Sequence, residues 1–368
     1  MFTFNNPTEI HFGQGVLQTI DTVLEKYSYQ SYVVIASGSQ VKNGIAELLE
    51  SLLPGQIKAV VSEIEENPTV ENVDAIINAA AEYQVDALIA VGGGSTMDAA
   101  KAAAAAVVKN TDARTIIQDK NINEALPIIA LPSTSGSASE VTPFSVISDK
   151  SAGIKTSISS KALYPKIAIV DPELTYTCPP AVTAISGIDV ICHSLDSIGA
   201  VNNNPVSDGL AVTALKLAFD NLETAYTEGT NAEARANMAL ASMTAGLAFS
   251  QTATSGSHAM SYYLTSEFGI PHAEACAFSL DQWIIHNAEV DPRLDNISKQ
   301  LGFENTEALS EALNTLKERL GLRTTFEALE IDKKHIPEIA RQTMAAGNYK
   351  NNLAQLSEKE IIEMLETK

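Results

Sequence analysis

Hydrophobic positions in the first half of the chain fall in short, β-branched runs: Tyr32–Ala36, Lys58–Val61, Ala87–Val91, Ile128–Leu131 and Ile167–Val170. Runs of this length and composition predict buried strands. Between them, apolar residues recur at helical spacing, over Val70–Tyr83 and Met97–Lys109. Strands alternating with helices predict a parallel, Rossmann-like sheet covered by helices on both faces. The pattern changes near Thr177-Cys178-Pro179-Pro180-Ala181. Beyond it lie long helical stretches, Val206–Glu223, Ala232–Ala248 and Thr306–Leu320, with few strand signals. The expected organisation is an α/β domain over residues 1–178 followed by an all-helical domain over 179–368, with no internal repeat.

Composition supports two ordinary globular cores. The chain has 368 residues, 45% hydrophobic and 19% charged, which suffices for two domains. Its net charge of −21 argues against a polyanion-binding surface, which needs clustered Lys and Arg; nucleic acid is not an expected partner. Cys178, Cys192 and Cys276 form no CxxC pair, so neither a disulfide framework nor a zinc ribbon is expected, and a reducing, cytoplasmic setting fits. The start, Met1-Phe2-Thr3-Phe4-Asn5-Asn6-Pro7, lacks a basic segment followed by a long apolar core, so no secretory signal is expected. The Ala99–Val108 run contains Lys101 and is too short to span a bilayer, so no membrane association is expected. A homodimer is the default expectation for a soluble oligomer.

Two constellations carry candidate chemistry. In the first, the strand Ala87–Val91 runs into Gly92-Gly93-Gly94-Ser95 and then a helix. Glycines there let the backbone approach a ligand, and the free N–H groups of a helix start favour an anion. Ser95 is positioned to cap that helix and to donate to a phosphate. This is not the usual GxGxxG spacing, and a ligand-free tight turn reads the same way. After the next strand, Pro132-Ser133-Thr134-Ser135-Gly136-Ser137-Ala138-Ser139-Glu140 adds small hydroxyl donors, and Gly153-Ile154-Lys155 adds a cation. Loops at the carboxyl ends of neighbouring strands are where open α/β sheets bind ligands.

The second constellation suits a metal. Asp189 and His193 are four residues apart, hence on one face of a helix. His258 falls in another helical pattern, and His272 follows Pro271 at a turn or helix start. One carboxylate with three imidazoles suits Fe(II), Zn(II) or a similar first-row ion. Any one of these residues alone is equally a buried structural group.

Taken together, Gly92 to Asp98, Pro132 to Glu140, the Asp189/His193 pair and two later histidines resemble the iron-containing, or group III, alcohol dehydrogenases. Asn6-Pro7-Thr8-Glu9-Ile10-His11-Phe12-Gly13 and Asn67-Pro68-Thr69 are similar too. The resemblance runs from roughly residue 2 to 290. It implies that Asp189, His193, His258 and His272 ligate the metal, and that Gly92, Gly93, Gly94, Ser95 and Asp98 line the dinucleotide, with Ser133, Thr134 and Lys155 nearby. It further implies hydride transfer between NAD(H) or NADP(H) and the carbonyl carbon of a small aldehyde or alcohol, with Fe(II) or Zn(II) polarising the oxygen.

The chain departs from the family pattern in ways that bear on chemistry. Four residues after His258, where the family often has a histidine assigned to proton relay, stands Tyr262. Tyr262 is the catalytic candidate; it passes a proton or merely shapes the pocket. The usual glycine after the last ligand histidine is Ala273. After Tyr32–Ala36, Ser37-Gly38-Ser39 replaces an acid often found in NAD-preferring members, and Lys42 is close; NADP(H) is therefore expected to be accepted. Ser261-Tyr262-Tyr263-Leu264-Thr265 with Gly269-Ile270 resembles the branch containing phosphonoacetaldehyde reductases. Three alternatives stay open at this point: a lyase resembling dehydroquinate synthase, a polyol-phosphate-type enzyme, and a non-catalytic member of the fold.

Overall fold

The computed structural model describes residues 1–368. It contains eight strands: β1 (Glu9–Phe12), β2 (Tyr32–Ala36), β3 (Ile57–Val61), β4 (Ala87–Gly92), β5 (Ile128–Pro132), β6 (Phe144–Asp149), β7 (Ile154–Ser159) and β8 (Ile167–Val170). Six form one sheet in the order β1-β8-β5-β4-β2-β3, and every adjacent pair is parallel. Strands β2, β4, β5 and β8 are buried along their whole length, as expected of a sheet covered on both faces. One face packs Val33, Ile35, Leu88 and Ala130 against the helices Val70–Tyr83 and Gly94–Lys109. The other packs Val34, Ile89, Val91 and Leu131 against Ile20, Ile45 and Leu49.

The Gly94–Lys109 helix owes its place to small side chains. Ala99, Ala100 and Ala102–Ala106 are fully buried, so the helix axis lies close to the sheet. Lys101, in the middle of that run, is also fully buried. Its Nζ donates to Ser139 Oγ (2.7 Å) and to the carbonyls of Thr142 (2.8 Å) and Phe144 (2.9 Å). A buried ammonium is tolerable only with such partners.

Two features of this half were not anticipated. Strand β1 pairs with β8, and β6 and β7 form an antiparallel hairpin outside the main sheet. The segment around Lys155, to which the apolar pattern assigns no element, is strand β7. Serines flank Val146, Ile147 and Ile158 there, and the resulting short strands lack a strong apolar signal.

After Pro180 the chain is helical: Pro180–Ile198, Pro205–Thr227, Ala232–Thr252, Gly256–Phe268, His272–Val290 and six shorter helical segments. Pro180–Ile198 is long and apolar enough to cross a membrane, but most of it is buried inside the fold. Ile188, Val190, Ile191 and Leu195 belong to the core formed with Pro205–Thr227 and Ala232–Thr252. The chain divides into two compact units, Asn6–Thr177 and Cys178–Lys368, with Met1–Asn5 joining the second.

Candidate metal centre and dinucleotide cradle

The helix Pro180–Ile198 carries Asp189, His193 and Asp196 at spacings of four and three residues, so all three project from one face. All three are buried. His258 lies in the first turns of Gly256–Phe268, and His272 opens His272–Val290 immediately after Pro271. A proline just before a helix suits an entry with no N–H to satisfy. Gly256 lets its helix approach: a Cβ there would stand 2.7 Å from the Trp283 ring.

These helices bring the predicted ligands together. Asp189 Oδ1 lies 3.9 Å from His193 Nε2 and 4.0 Å from His258 Nε2. Asp189 Oδ1 and His258 Nε2 are both buried with no hydrogen-bond partner. Such atoms are costly unless something else satisfies them. One ligand atom from each of Asp189, His258, His272 and Cys276 lies within 4.8 Å of the others. Donors held about 2.0–2.3 Å from a single first-row ion are separated by up to about 4.6 Å, so shifts of a few tenths of an ångström bring this group onto one ion. His193 sits beside this group, its ring stacked on Phe249 (4.1 Å between centroids) and on His258 (4.9 Å).

Electrostatics follow from this crowding. Burial pushes the Asp189 carboxyl up. Burial opposes charge on His258 as well, yet Cys276 and the Asp196 carboxylate hold its pKa well above the ordinary imidazole value. For Asp196, burial is outweighed by hydrogen bonds from His258, Ser255 and Ser257, which hold it below the usual carboxylate range. A dication in this group would compete directly with the imidazole proton.

Two members of the group were missed in the sequence. Asp196 accepts from His258 Nδ1 (2.8 Å), the Ser255 amide (2.8 Å) and Ser257 Oγ (2.8 Å). Its signal was the same helical spacing that linked Asp189 to His193. Cys276 Sγ lies 3.8 Å from His272 Nε2; its signal was the four-residue spacing from His272. Tyr262 stands one helical turn beyond His258, its ring parallel to that of His272 at 6.3 Å. Its hydroxyl accepts from Asn348 Nδ2 (2.9 Å).

The other constellation forms at the carboxyl edge of the parallel sheet. The Ser37 amide donates to the Val91 carbonyl and the Ser133 amide to the Gly92 carbonyl, each across 2.9 Å. The loops after β2, β4 and β5 are therefore stitched side by side. The chain leaves β2 toward β3 and returns across β2 to β4, so Ser37 and Gly92 lie at the switch in strand order where such sheets bind ligands. The three glycines are needed for close approach rather than unusual backbone angles. A Cβ on Gly92 would lie 2.3 Å from Thr96 Oγ1, on Gly93 3.1 Å from Thr134 Oγ1, and on Gly94 2.9 Å from Ser137.

Two expectations here are corrected. The helix begins at Gly94, a turn earlier than the apolar pattern, and its N-cap is Gly93 with no side-chain cap; Ser95 lies inside the first turn and does not cap it. That leaves the first-turn amides without a capping oxygen, the arrangement that receives anions. Asp98, expected to line the dinucleotide, also has partners inside the fold: its oxygens accept from Ser139 Oγ (2.9 Å) and the Val146 amide (2.9 Å). It anchors the serine-rich loop to hairpin β6–β7 and, through Ser139, to Lys101. Lys155 Nζ donates to Asn67 Oδ1 (2.7 Å). Ser37 precedes the short helix Gly38–Lys42 without a capping hydrogen bond from its side chain, and Gly38 and Ser39 are exposed.

Comparison with known proteins decides what these sites belong to. Residues 7–172 match the iron-containing alcohol dehydrogenase family, and residues 183–368 match the C-terminal region of the Fe-containing alcohol dehydrogenase family. The chain belongs to the iron-containing alcohol dehydrogenases. Among its relatives is a 1-propanol dehydrogenase of Salmonella typhimurium, 34% identical, the alignment covering 100% of this chain and 99% of the relative. An NADPH-dependent butanol dehydrogenase of Clostridium saccharobutylicum is 30% identical over 100% and 97% of the two chains. Among solved structures, sulfoacetaldehyde reductase from Bifidobacterium kashiwanohense in complex with NAD+ superposes with a TM-score of 0.96 at 34% identity, covering 100% and 98%.

This dehydrogenase therefore has the family's two-part fold, and it is a metal-dependent, NAD(P)-linked oxidoreductase acting on alcohols and aldehydes. The lyase and non-catalytic readings give way to that assignment.

Proposed function

We propose that the dehydrogenase reduces a short aldehyde to its alcohol, or runs the reverse, with Asp189, His193, His258 and His272 holding the divalent metal. The observation that carries this reading is the pair of unsatisfied buried atoms, Asp189 Oδ1 and His258 Nε2, aimed into one group with His272. A bound divalent ion would supply Lewis-acid polarisation of the substrate oxygen, and the nicotinamide would give or take the hydride. The protein's own work is positional. Asp196 holds the His258 ring, Phe249 backs His193, and Tyr262 forms a flat wall beside His272.

For the dinucleotide, we propose that the first-turn amides of Gly94–Lys109, with Gly92, Gly93 and Ser95, receive its phosphates. Ser133, Thr134 and Lys155 line the neighbouring loop and hairpin, and Ser37, Gly38 and Ser39 take the adenosine ribose. Ser37 brings no negative charge and Lys42 lies on the same short helix, so a 2′-phosphate meets no carboxylate there. NADP(H) is accepted in this reading. Two-carbon and three-carbon aldehydes, including those carrying an anionic group, are the proposed substrates. The sulfoacetaldehyde reductase neighbour and the sequence around Tyr262 support the anionic class. A homodimer in a reducing compartment completes the proposal, supported by three free cysteines and by the prevalence of twofold assemblies; sizing by light scattering checks the dimer.

The deciding experiment is oxidation of NADPH and NADH by the anaerobically metal-loaded protein. The aldehyde panel comprises propionaldehyde, lactaldehyde, sulfoacetaldehyde and phosphonoacetaldehyde. Metal-dependent turnover of at least one aldehyde is expected. Loaded protein that turns over none of them overturns the substrate class.

A further inference from the structure

The metal group contains a donor that the ligand set above does not use. Cys276 is fully buried one helical turn beyond His272, and its Sγ lies 3.8 Å from His272 Nε2. The grouping whose ligand atoms all fall within 4.8 Å of one another is Asp189, His258, His272 and Cys276. Two of its members, Asp189 Oδ1 and His258 Nε2, are more than nine-tenths buried and lack hydrogen-bond partners. Cys276 forms no disulfide. The opening of the His272–Val290 helix thus presents an imidazole and a thiol to the same point, as an i, i+4 pair must.

We propose that Cys276 is a thiolate ligand of the metal, so that the chain offers one sulfur alongside its carboxylate and imidazoles. The inference rests on the metal reading of this site. Binding breaks the Cys276 S–H bond, releases the proton to solvent and forms a sulfur–metal bond; nothing is oxidised or reduced. Two consequences follow from the donor chemistry. Asp189 and Cys276 together neutralise a dication, which removes the net charge a buried site would otherwise carry. A soft thiolate also biases the site toward zinc or cobalt over manganese or magnesium.

The test uses the full-length protein loaded with Co(II) under anaerobic conditions. Ligand-field bands in the visible report cobalt in the site, and a near-ultraviolet thiolate-to-cobalt charge-transfer band reports sulfur bound to it. Wild type and Cys178→Ser, a control at a half-buried thiol, should show both signals. Cys276→Ser should keep the visible bands and lose the charge-transfer band, and should bind Zn(II) about ten-fold or more weakly with a much smaller change for Mn(II). Zinc X-ray absorption on the unmutated protein needs no variant to fold: it should resolve a sulfur near about 2.3 Å beside nitrogen and oxygen at about 2.0–2.2 Å. Bound metal with only nitrogen and oxygen neighbours, or a charge-transfer band that survives Cys276→Ser, overturns the proposal and leaves the metal reading intact. Failure of wild type to bind cobalt or zinc at all overturns the metal reading itself.

Discussion

His258 Nδ1 donates to the Asp196 carboxylate across 2.8 Å, and the opposite nitrogen of the same ring lies 4.0 Å from Asp189. An ionised carboxylate only accepts, so the neutral ring carries its proton on Nδ1 and presents a lone pair at Nε2. Outer partners of this kind set the tautomer and orientation of a ligating imidazole. Asp196→Asn should weaken metal binding about 10- to 100-fold, read as the free-metal concentration at half occupancy. An unchanged metal affinity would show that the ring is oriented without Asp196.

Tyr262 is a test of chemistry against shape. Its ring lies flat beside His272, and its hydroxyl accepts from Asn348. Desolvation raises the pKa of that hydroxyl above the ordinary phenol value, which disfavours it as a base near neutrality. Tyr262→Phe should therefore cost less than about ten-fold in kcat, whereas loss of a true proton relay costs about 10²–10⁴-fold. A loss in that larger range, with metal retained, would make Tyr262 the relay.

The segment that delivers His258 is strained. Ala253, directly after the Ala232–Thr252 helix, has φ 59° and ψ 178°, a region almost reserved for glycine. Two residues on, the Ser255 amide is tied to Asp196, so the strain is held by the site. Ala253→Gly should stabilise the protein by about 1 kcal/mol in urea unfolding, after allowing for the added freedom of the unfolded chain. A destabilised variant would mean the methyl group contributes more by packing than it costs in backbone strain.

A pH signature resides farther along the helix that begins with His272. Asp281 is fully buried, with Lys317 Nζ at 2.7 Å and Lys368 Nζ at 2.6 Å. Burial works against its charge, but the two ammonium groups hold its pKa down at about 2, below the ordinary aspartate range. A carboxyl depressed by folding contributes stability that is complete above its unfolded pKa and lost as pH falls toward the folded one. The Asp281 contribution, on the order of 2 kcal/mol, should thus fade between about pH 4 and pH 2. Asp281→Asn should flatten that part of the stability profile and cost about 3–5 kcal/mol at neutral pH by stranding two lysines. A wild-type slope retained in the variant would assign the acid sensitivity elsewhere.

Much of this was legible in the sequence, for identifiable reasons. Strands β2, β4, β5 and β8 are buried on both faces, so their residues had to be continuous apolar runs. The long helices after Pro180 declared themselves by period. Hairpin β6–β7 did not, because a few apolar residues flanked by serines resemble a solvated loop. Asp189, His193, His258 and His272 were legible as residue types, and the helices bring them to one place. Asp196 and Cys276 were not, because a lone acid or thiol in a helix carries no mark until its partners are known. Lys101 was the reverse case: a charge within an alanine run looks like a solvent-facing residue, yet it holds the Ser139–Phe144 segment from inside. Asp98 matched a cofactor motif by spacing, and its hydrogen bonds to Ser139 and Val146, which spacing alone does not show, also tie the serine-rich loop to hairpin β6–β7.

The most direct measurement is metal content together with aldehyde-dependent NAD(P)H oxidation, compared between wild type and His258→Ala, with nucleotide binding followed by fluorescence. Wild type should hold about one divalent ion per chain and turn over, whereas His258→Ala should lose both metal and turnover and still bind nucleotide, because the loops after β2, β4 and β5 are untouched. Wild-type turnover by His258→Ala in metal-free buffer would contradict the account.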